Sequence, residues 1–556
     1  MTMQLGRVRS AIALAVVVIL ASGVTGCAES KRGKGSTTRS KLIFGTAGRP
    51  VSFDPALATD DETLRVDRQL YETLITYRPG SPELAPGLAK TWQNSPDGKQ
   101  WTFTLRRGVK FQDGTPFNAA AVCYNFDRWN NLSELPAQSK AGYWSEIFGG
   151  FRVNAGKDFG KSIYRGCEAK DDHTAVIKLS AFSGRFPAAF TLTSFSISSP
   201  TALRKYHADD VTEVDDTYDF PAYATAHPTG TGPFKLLKVD RKTGSVTLGR
   251  FGAYHGGKPK LKTLIFEVIP NELERKKALR AGTIHGYDMP STADYQGLVD
   301  DGFNLQFRRP FDVLYLGINQ KGNKKLADIR VRKAIAYALD REKLVKTNLP
   351  DKAVVATQFV PPGLDGYAKD IRTYEYDVDK AKALLKAAHA EDLTLRFHYP
   401  TGATPPYLPD PQGIYDMMVA DLAQVGIELE PEPEQWSKDY LGEITTTREH
   451  DLHLLGRAGD YSYVGDFVGT CFGQGSPEFG DEGMKRMFAA IDRADSSVDV
   501  ITRDAAWENV NRNLMNEWLP AIPIAYTPSA MVLTKNVKGL PASPLAQEQF
   551  GAAYFD

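Results

Sequence analysis

Asp460 stands in the run Leu455-Gly456-Arg457-Ala458-Gly459-Asp460-Tyr461, just after the alternating stretch Asp451-Leu452-His453-Leu454-Leu455. Alternation of this kind reads as a strand, so Asp460 falls at a strand end among loops. A carboxylate placed there has two uses. It can accept a cationic amine taken out of water, which requires an anionic partner, or it can cap the backbone amides of its own turn. Arg457 and Tyr461 flank it, and Asp466 and Phe467 continue the same loop. Rival chemistries are poorly supplied. Gly252–Lys258 satisfies most of a phosphate-binding loop, but Pro259 replaces the required Ser or Thr, removing a metal-ligating hydroxyl and a backbone donor. His450 and His453 could be a metal pair, yet on the inferred strand their odd spacing points them to opposite faces. No His-Glu-x-x-His or Gly-x-Ser-x-Gly occurs, and the nine histidines are scattered. The legible chemistry is recognition around a carboxylate. No catalytic set, metal or cofactor is expected.

Composition narrows the setting. Of 556 residues, 42% are hydrophobic and 24% charged, which is ordinary for a globular protein and long enough for two to four folded units. Sixty-seven basic side chains balance 67 acidic ones, which gives no basic footprint for nucleic acid. Cys27, Cys123, Cys167 and Cys471 are too few for a disulfide scaffold and lack the close pairs of a zinc site. Cys123 and Cys167 share the N-terminal region and are the preferred disulfide pair, with Cys471 left over.

Lys41–Gly45 reads as a buried opening strand. Ser95-Pro96-Asp97-Gly98-Lys99 is a turn between Trp92 and the alternating Trp101–Leu105, hence a β-hairpin. From about residue 310 helices and strands alternate. Asp328 is placed to cap a helix burying Val331, Ala334, Ile335 and Ala338; a second is marked by Val378, Ala381, Leu384 and Leu385; a third runs from Ile414 to Val425 and stops at Gly426, before the strand Ile427–Leu429. This grammar is α/β.

At the N-terminus, Arg7 and Arg9 precede the apolar run Ala11–Ala21 and then small residues, the layout of a secretory signal. Eleven apolar residues are too few to span a bilayer, which needs about twenty. Val24-Thr25-Gly26-Cys27 resembles a bacterial lipobox, which implies lipidation of Cys27 and an extracytoplasmic, membrane-anchored chain. Residues 27–40 read as a flexible tether.

Several stretches in order carry a further resemblance: Leu84–Trp92, Trp101–Phe111, Asp113-Gly114-Thr115-Pro116-Phe117, Pro228-Thr229-Gly230-Thr231-Gly232-Pro233-Phe234, Gly256–Pro259, Asp328–Ala334 and Tyr337–Arg341. Together they closely resemble the oligopeptide-, dipeptide- and nickel-binding proteins of ABC importers, across residues 41–556. The resemblance implies a bilobal, periplasmic-binding-protein-like hinge fold: lobe I at 41–310 with an extra subdomain at about 75–200, lobe II at 311–518, and a return to lobe I at 519–556. It implies a monomer that is no enzyme, taking a small peptide to the transmembrane subunits of a permease, with an oligosaccharide or metal chelate as the alternative cargo; a secreted hydrolase is an alternative of a different class, outside the resemblance. It implies that Asp460 pairs with the ligand's α-ammonium, with Tyr461 beside it; Arg457 stands where many members of the family carry Trp, so this wall of the pocket departs from their pattern. Asn319 either bonds ligand backbone or caps a strand end, Tyr143 and Trp144 either line the pocket or belong to the core, and the loop carrying Asp54 borders the cleft.

Overall fold

The opening strand forms as Lys41–Thr46 and lies inside a seven-stranded sheet, pairing in parallel with Thr263–Val268 on one side and Gly286–Asp288 on the other. Leu42 and Phe44 are buried on one face and Ile43 is half-buried on the other, as suits an inner parallel strand. The full order of that sheet is 234–239, 246–250, 263–268, 41–46, 286–288, 530–533, 304–307. These strands belong to a computed structural model that describes residues 38–215, 217–402, 405–436, 440–447, 449–476, 478–479 and 484–556. The signal segment, Cys27 and most of the tether lie outside the described residues.

A second sheet has six strands in the order 354–355, 521–526, 312–318, 452–458, 393–401, 427–435. Helices Ile329–Ala338, Val378–Ala387 and Pro411–Ala423 contribute Val331, Ile335, Leu385 and Met418 to the core on this sheet. Asp328 caps the first by accepting the Arg330 amide, and Gly426, at φ +84°, turns the chain from the third into its strand. A four-stranded antiparallel sheet, 89–94, 100–105, 174–179 and 164–171 in that order, makes a third core. Its first hairpin pairs Trp92 with Phe103, and the turn sets Gly98 at φ +66°. Cys123 Sγ and Cys167 Sγ are bonded here, with Cα atoms 5.0 Å apart, while Cys471 is a buried free thiol.

Two short crossings join the first and second sheets. Arg308–Phe311 leads from the strand Asn304–Phe307 to Asp312–Ile318, and Thr527–Ser529 leads back from Ala521–Tyr526 to Ala530–Leu533. They run side by side, with Arg308 N–H bonded to Ser529 O at 2.9 Å and Thr527 N–H to Asp312 Oδ1 at 2.8 Å. The return therefore begins at 527 and not at 519. Ala521–Tyr526 stays in the second sheet because it pairs along Asp312–Ile318.

The expectation for His450 and His453 is also corrected. The strand begins at Leu452, so His450 precedes it and period-two alternation does not govern its side chain; the two rings lie 4.7 Å apart. Among the described residues no His, Cys, Asp and Glu group is arranged to hold a metal ion.

Candidate functional site

The strand Leu452–Ala458 runs antiparallel to Asp312–Ile318, with Ala458 opposite Asp312 and Leu452 opposite Ile318. That register places Asp460 beside the crossings. Its turn is held by Asp466, whose fully buried carboxylate accepts the amides of Asp460 at 2.6 Å and Tyr461 at 3.3 Å. Capping thus falls to Asp466, and the Asp460 carboxylate turns elsewhere. It accepts from Arg457 at 2.7 Å and from the Tyr143 hydroxyl at 3.1 Å, and keeps 31% of its side-chain surface exposed. Arg457 bonds Asp466 as well, bridging the two carboxylates. Burial and the charge of Asp466 push Asp460 up to about 7, against the opposing pull of Arg457. Burial alone would lower Arg457, but Asp466 and Asp460 outweigh it and hold the guanidinium charged.

Asp460 borders a cavity of about 150 Å³. Lobe I contributes Asp61, Leu64 and Arg68 from one face of the helix Asp61–Leu70, the third-sheet subdomain contributes Tyr143 and Thr193, and the second-sheet side contributes Asp312 and Gly459. Arg309, exposed in the first crossing, and Gln547 also line it. Asp312 is 5% exposed; burial, partly offset by the Thr527 amide, pushes it up to about 8.

The remaining sequence candidates divide. Tyr143 reaches the cavity, but Trp144, 2% exposed, stacks on Phe148 at 4.0 Å and donates its indole N–H to Gly150 O; it is core. Asp54 does not face the cavity: it is fully buried, caps Ala56 N and is clamped by Arg128 at 2.6 Å and 3.3 Å. A carboxylate sealed this way exposes no oxygen to a ligand. Asn319 lies at the other end of the strand from Asp312, about 24 Å away at 3.4 Å per residue, where its side chain bonds His450 O and Lys321 N. Tyr461 is fully buried, yet in the core of the third-sheet subdomain. It is a plug from one lobe into the other. Ser462 N–H bonds Tyr77 Oη at 2.8 Å and Gly184 N–H bonds Asp495 O at 2.9 Å, further ties across the same gap. Sequence reading missed Asp61, Arg68, Arg309, Asp312 and Gln547. Only Asp61, Leu64 and Arg68 carried a signal, their spacing along one helix face.

Among the described residues no helix is long and apolar enough to cross a membrane. The chain is 29% identical over 529 residues to the dipeptide-binding protein of Escherichia coli K12, covering 92% of this chain and 93% of that protein. Heme-binding protein A of Haemophilus influenzae is 26% identical over 543 residues, covering 93% and 92%. In three dimensions the chain is similar to DppA of Helicobacter pylori, solved with the peptide STSA, at a TM-score of 0.72, 25% identity and coverage of 93% of this chain and 98% of that one. Residues 83–478 match the family described as bacterial extracellular solute-binding proteins, family 5, in its middle region. The chain belongs to this family of extracytoplasmic solute-binding proteins, which are binders and not enzymes.

Proposed function

We propose that the protein is anchored through lipidated Cys27 on the outer face of the cell membrane, captures peptides between its lobes by hinge closure, and hands them to the transmembrane subunits of an ABC importer. One observation carries this reading: three separate parts of the fold converge on the cavity bordered by the Asp460 carboxylate, which is held by Arg457 and Tyr143 and still partly open. A peptide amine entering there meets an anion already aimed by its neighbours. The paired crossings at 308–311 and 527–529 supply a hinge, and the Tyr461 plug supplies contacts made only when the lobes meet. Ligand that touches both lobes then stabilises the closed state over the open one. Peptide cargo is also what the names of the Escherichia coli and Helicobacter pylori relatives record for those proteins.

Native mass spectrometry of the purified protein tests the proposal. A ladder of bound masses matching short peptides is expected. A single sugar, haem or metal-chelate adduct would keep the binding role and overturn the peptide reading.

A further inference from the structure

The loop that carries Asp460 also crosses the gap between the lobes. The Tyr461 side chain enters the core of the third-sheet subdomain, the Ser462 amide bonds Tyr77 Oη at 2.8 Å, and Tyr463 packs against the cores of both sides. Three consecutive residues after the carboxylate at the cavity therefore reach the opposite side. The Tyr463 hydroxyl donates to Asp495 Oδ1 at 2.8 Å and accepts the Trp507 indole N–H at 3.1 Å, which fixes the ring on the second-sheet side.

Facing that hydroxyl is Gly184, in the subdomain segment after the strand Thr174–Leu179. The Gly184 amide donates to Asp495 O at 2.9 Å, the last carbonyl of the helix Lys485–Asp495. Helix-end carbonyls lack a partner within their own helix, so this end takes its donor from across the gap. Gly184 does not hold a positive φ, and a left-handed backbone is not what calls for glycine. Space is. A Cβ there would clash with Tyr463 Oη and stand 2.7 Å from Asp495 O, and the three nearest atoms all belong to the second-sheet side. Two residues earlier, the Arg503 guanidinium sits 5.7 Å from the centre of the Phe182 ring, a further contact across the same seam. Neither Phe182 nor Gly184 borders the Asp460 cavity, and neither do Tyr463, Asp495 and Arg503.

We propose that this seam is a latch remote from the ligand, in which Gly184 and Tyr463 are positioning residues that let the subdomain close flush on the second-sheet side, so that peptide affinity is set in part where no peptide touches. This rests on the peptide reading above. The loop 460–463 couples the two places: an amine drawn to Asp460 steadies the same loop whose next three residues make the seam. Contacts present only in the closed state lower its free energy and hold the peptide longer.

Calorimetry and stopped-flow fluorescence with dialanine and trialanine test it on the wild type, Gly184→Ala, Tyr463→Phe and the double variant. The added methyl overpacks the closed seam, so Gly184→Ala is expected to bind at least about tenfold more weakly. The loss is expected in the dissociation rate, with association and the melting temperature of the peptide-free protein unchanged. Tyr463→Phe removes the atom that the methyl would strike, so in that background Gly184→Ala is expected to cost at least threefold less. Binding by Gly184→Ala within twofold of wild type would overturn the latch and leave the peptide reading standing. So would a loss that comes with a lower peptide-free melting temperature, or one undiminished in the Tyr463→Phe background, because Gly184 would then serve the subdomain's own fold. No binding of either peptide by the wild type would overturn the peptide reading and this inference with it.

Discussion

Asp460→Asn is the most direct test of the amine site, because it removes one charge and almost no volume. Opposite charges about 4 Å apart attract by about 4 kcal/mol at the effective dielectric of a protein surface. Asp460 is 31% exposed, which screens part of this, and Arg457 at 2.7 Å repels an incoming ammonium. Removing one member of a partly buried charge pair costs about 2–5 kcal/mol, and these two effects favour the lower end, so dialanine should bind about 30- to 150-fold more weakly. Stability should change little, since Arg457 keeps Asp466 as its partner. The pH profile gives an independent reading. In the free protein Asp460 is pushed up to about 7 by burial and Asp466, and a bound ammonium favours its charged form and lowers it. Binding then releases a proton below pH 7, so affinity falls as pH drops through that range, by up to about tenfold per unit, and levels off above it. In Asp460→Asn the slope between pH 5 and 7 should vanish. Calorimetry across pH decides the matter. A variant that binds within twofold of wild type with an unchanged melting temperature, or that keeps the wild-type slope, refutes the role.

Other outcomes follow from the same geometry. Tyr461→Phe deletes a buried hydroxyl with no partner and should hold or raise the melting temperature, whereas Tyr461→Ala empties the plug, at a cost of about 3 kcal/mol or more to the closed state, visible as weaker peptide binding and a larger radius by small-angle scattering; equal behaviour of the two variants would dismiss the plug. Asp54→Ala strands the Arg128 charge, which keeps only Asp209 and a carbonyl, so stability should drop by about 3 kcal/mol in a calorimetric melt while dialanine affinity stays within twofold; a large affinity loss in folded protein would return Asp54 to the site. Asp312 sits near 8 when folded and in the ordinary carboxylate range when unfolded, so the folded state holds the extra proton between pH 4 and 8 and loses about 1.4 kcal/mol per unit as pH rises through that window. Asp312→Asn should flatten that part of the stability profile in denaturant titrations, and an unchanged slope would count against a buried neutral acid.

Much of the local structure was legible because its causes are local. Asp328 caps a helix through an amide two residues away, Gly426 turns the chain at a positive φ, and the hairpin around Gly98 follows from its turn residues. The His450 expectation failed because the strand begins two residues after it, which is enough to void an alternation argument. The loop carrying Asp54 reads as bordering the cleft in one dimension, and Trp144 stays open between pocket and core. Burial decided against them, because Arg128 lies 74 residues from Asp54 in sequence and Phe148 needs the whole subdomain around it.

The sequence by itself determined the α/β grammar, the family through ordered motifs, and Asp460 as the carboxylate to watch. Tertiary structure decided which groups share its space. The Tyr143–Asp460 hydrogen bond joins residues 317 apart, and Asp312 meets Thr527 across 215. Periodicity and turn chemistry act over a few residues, so they fix where a strand ends but not what faces that end. What faces it is set by sheet register and by the packing of one lobe on another, and these exist only once the whole chain has folded.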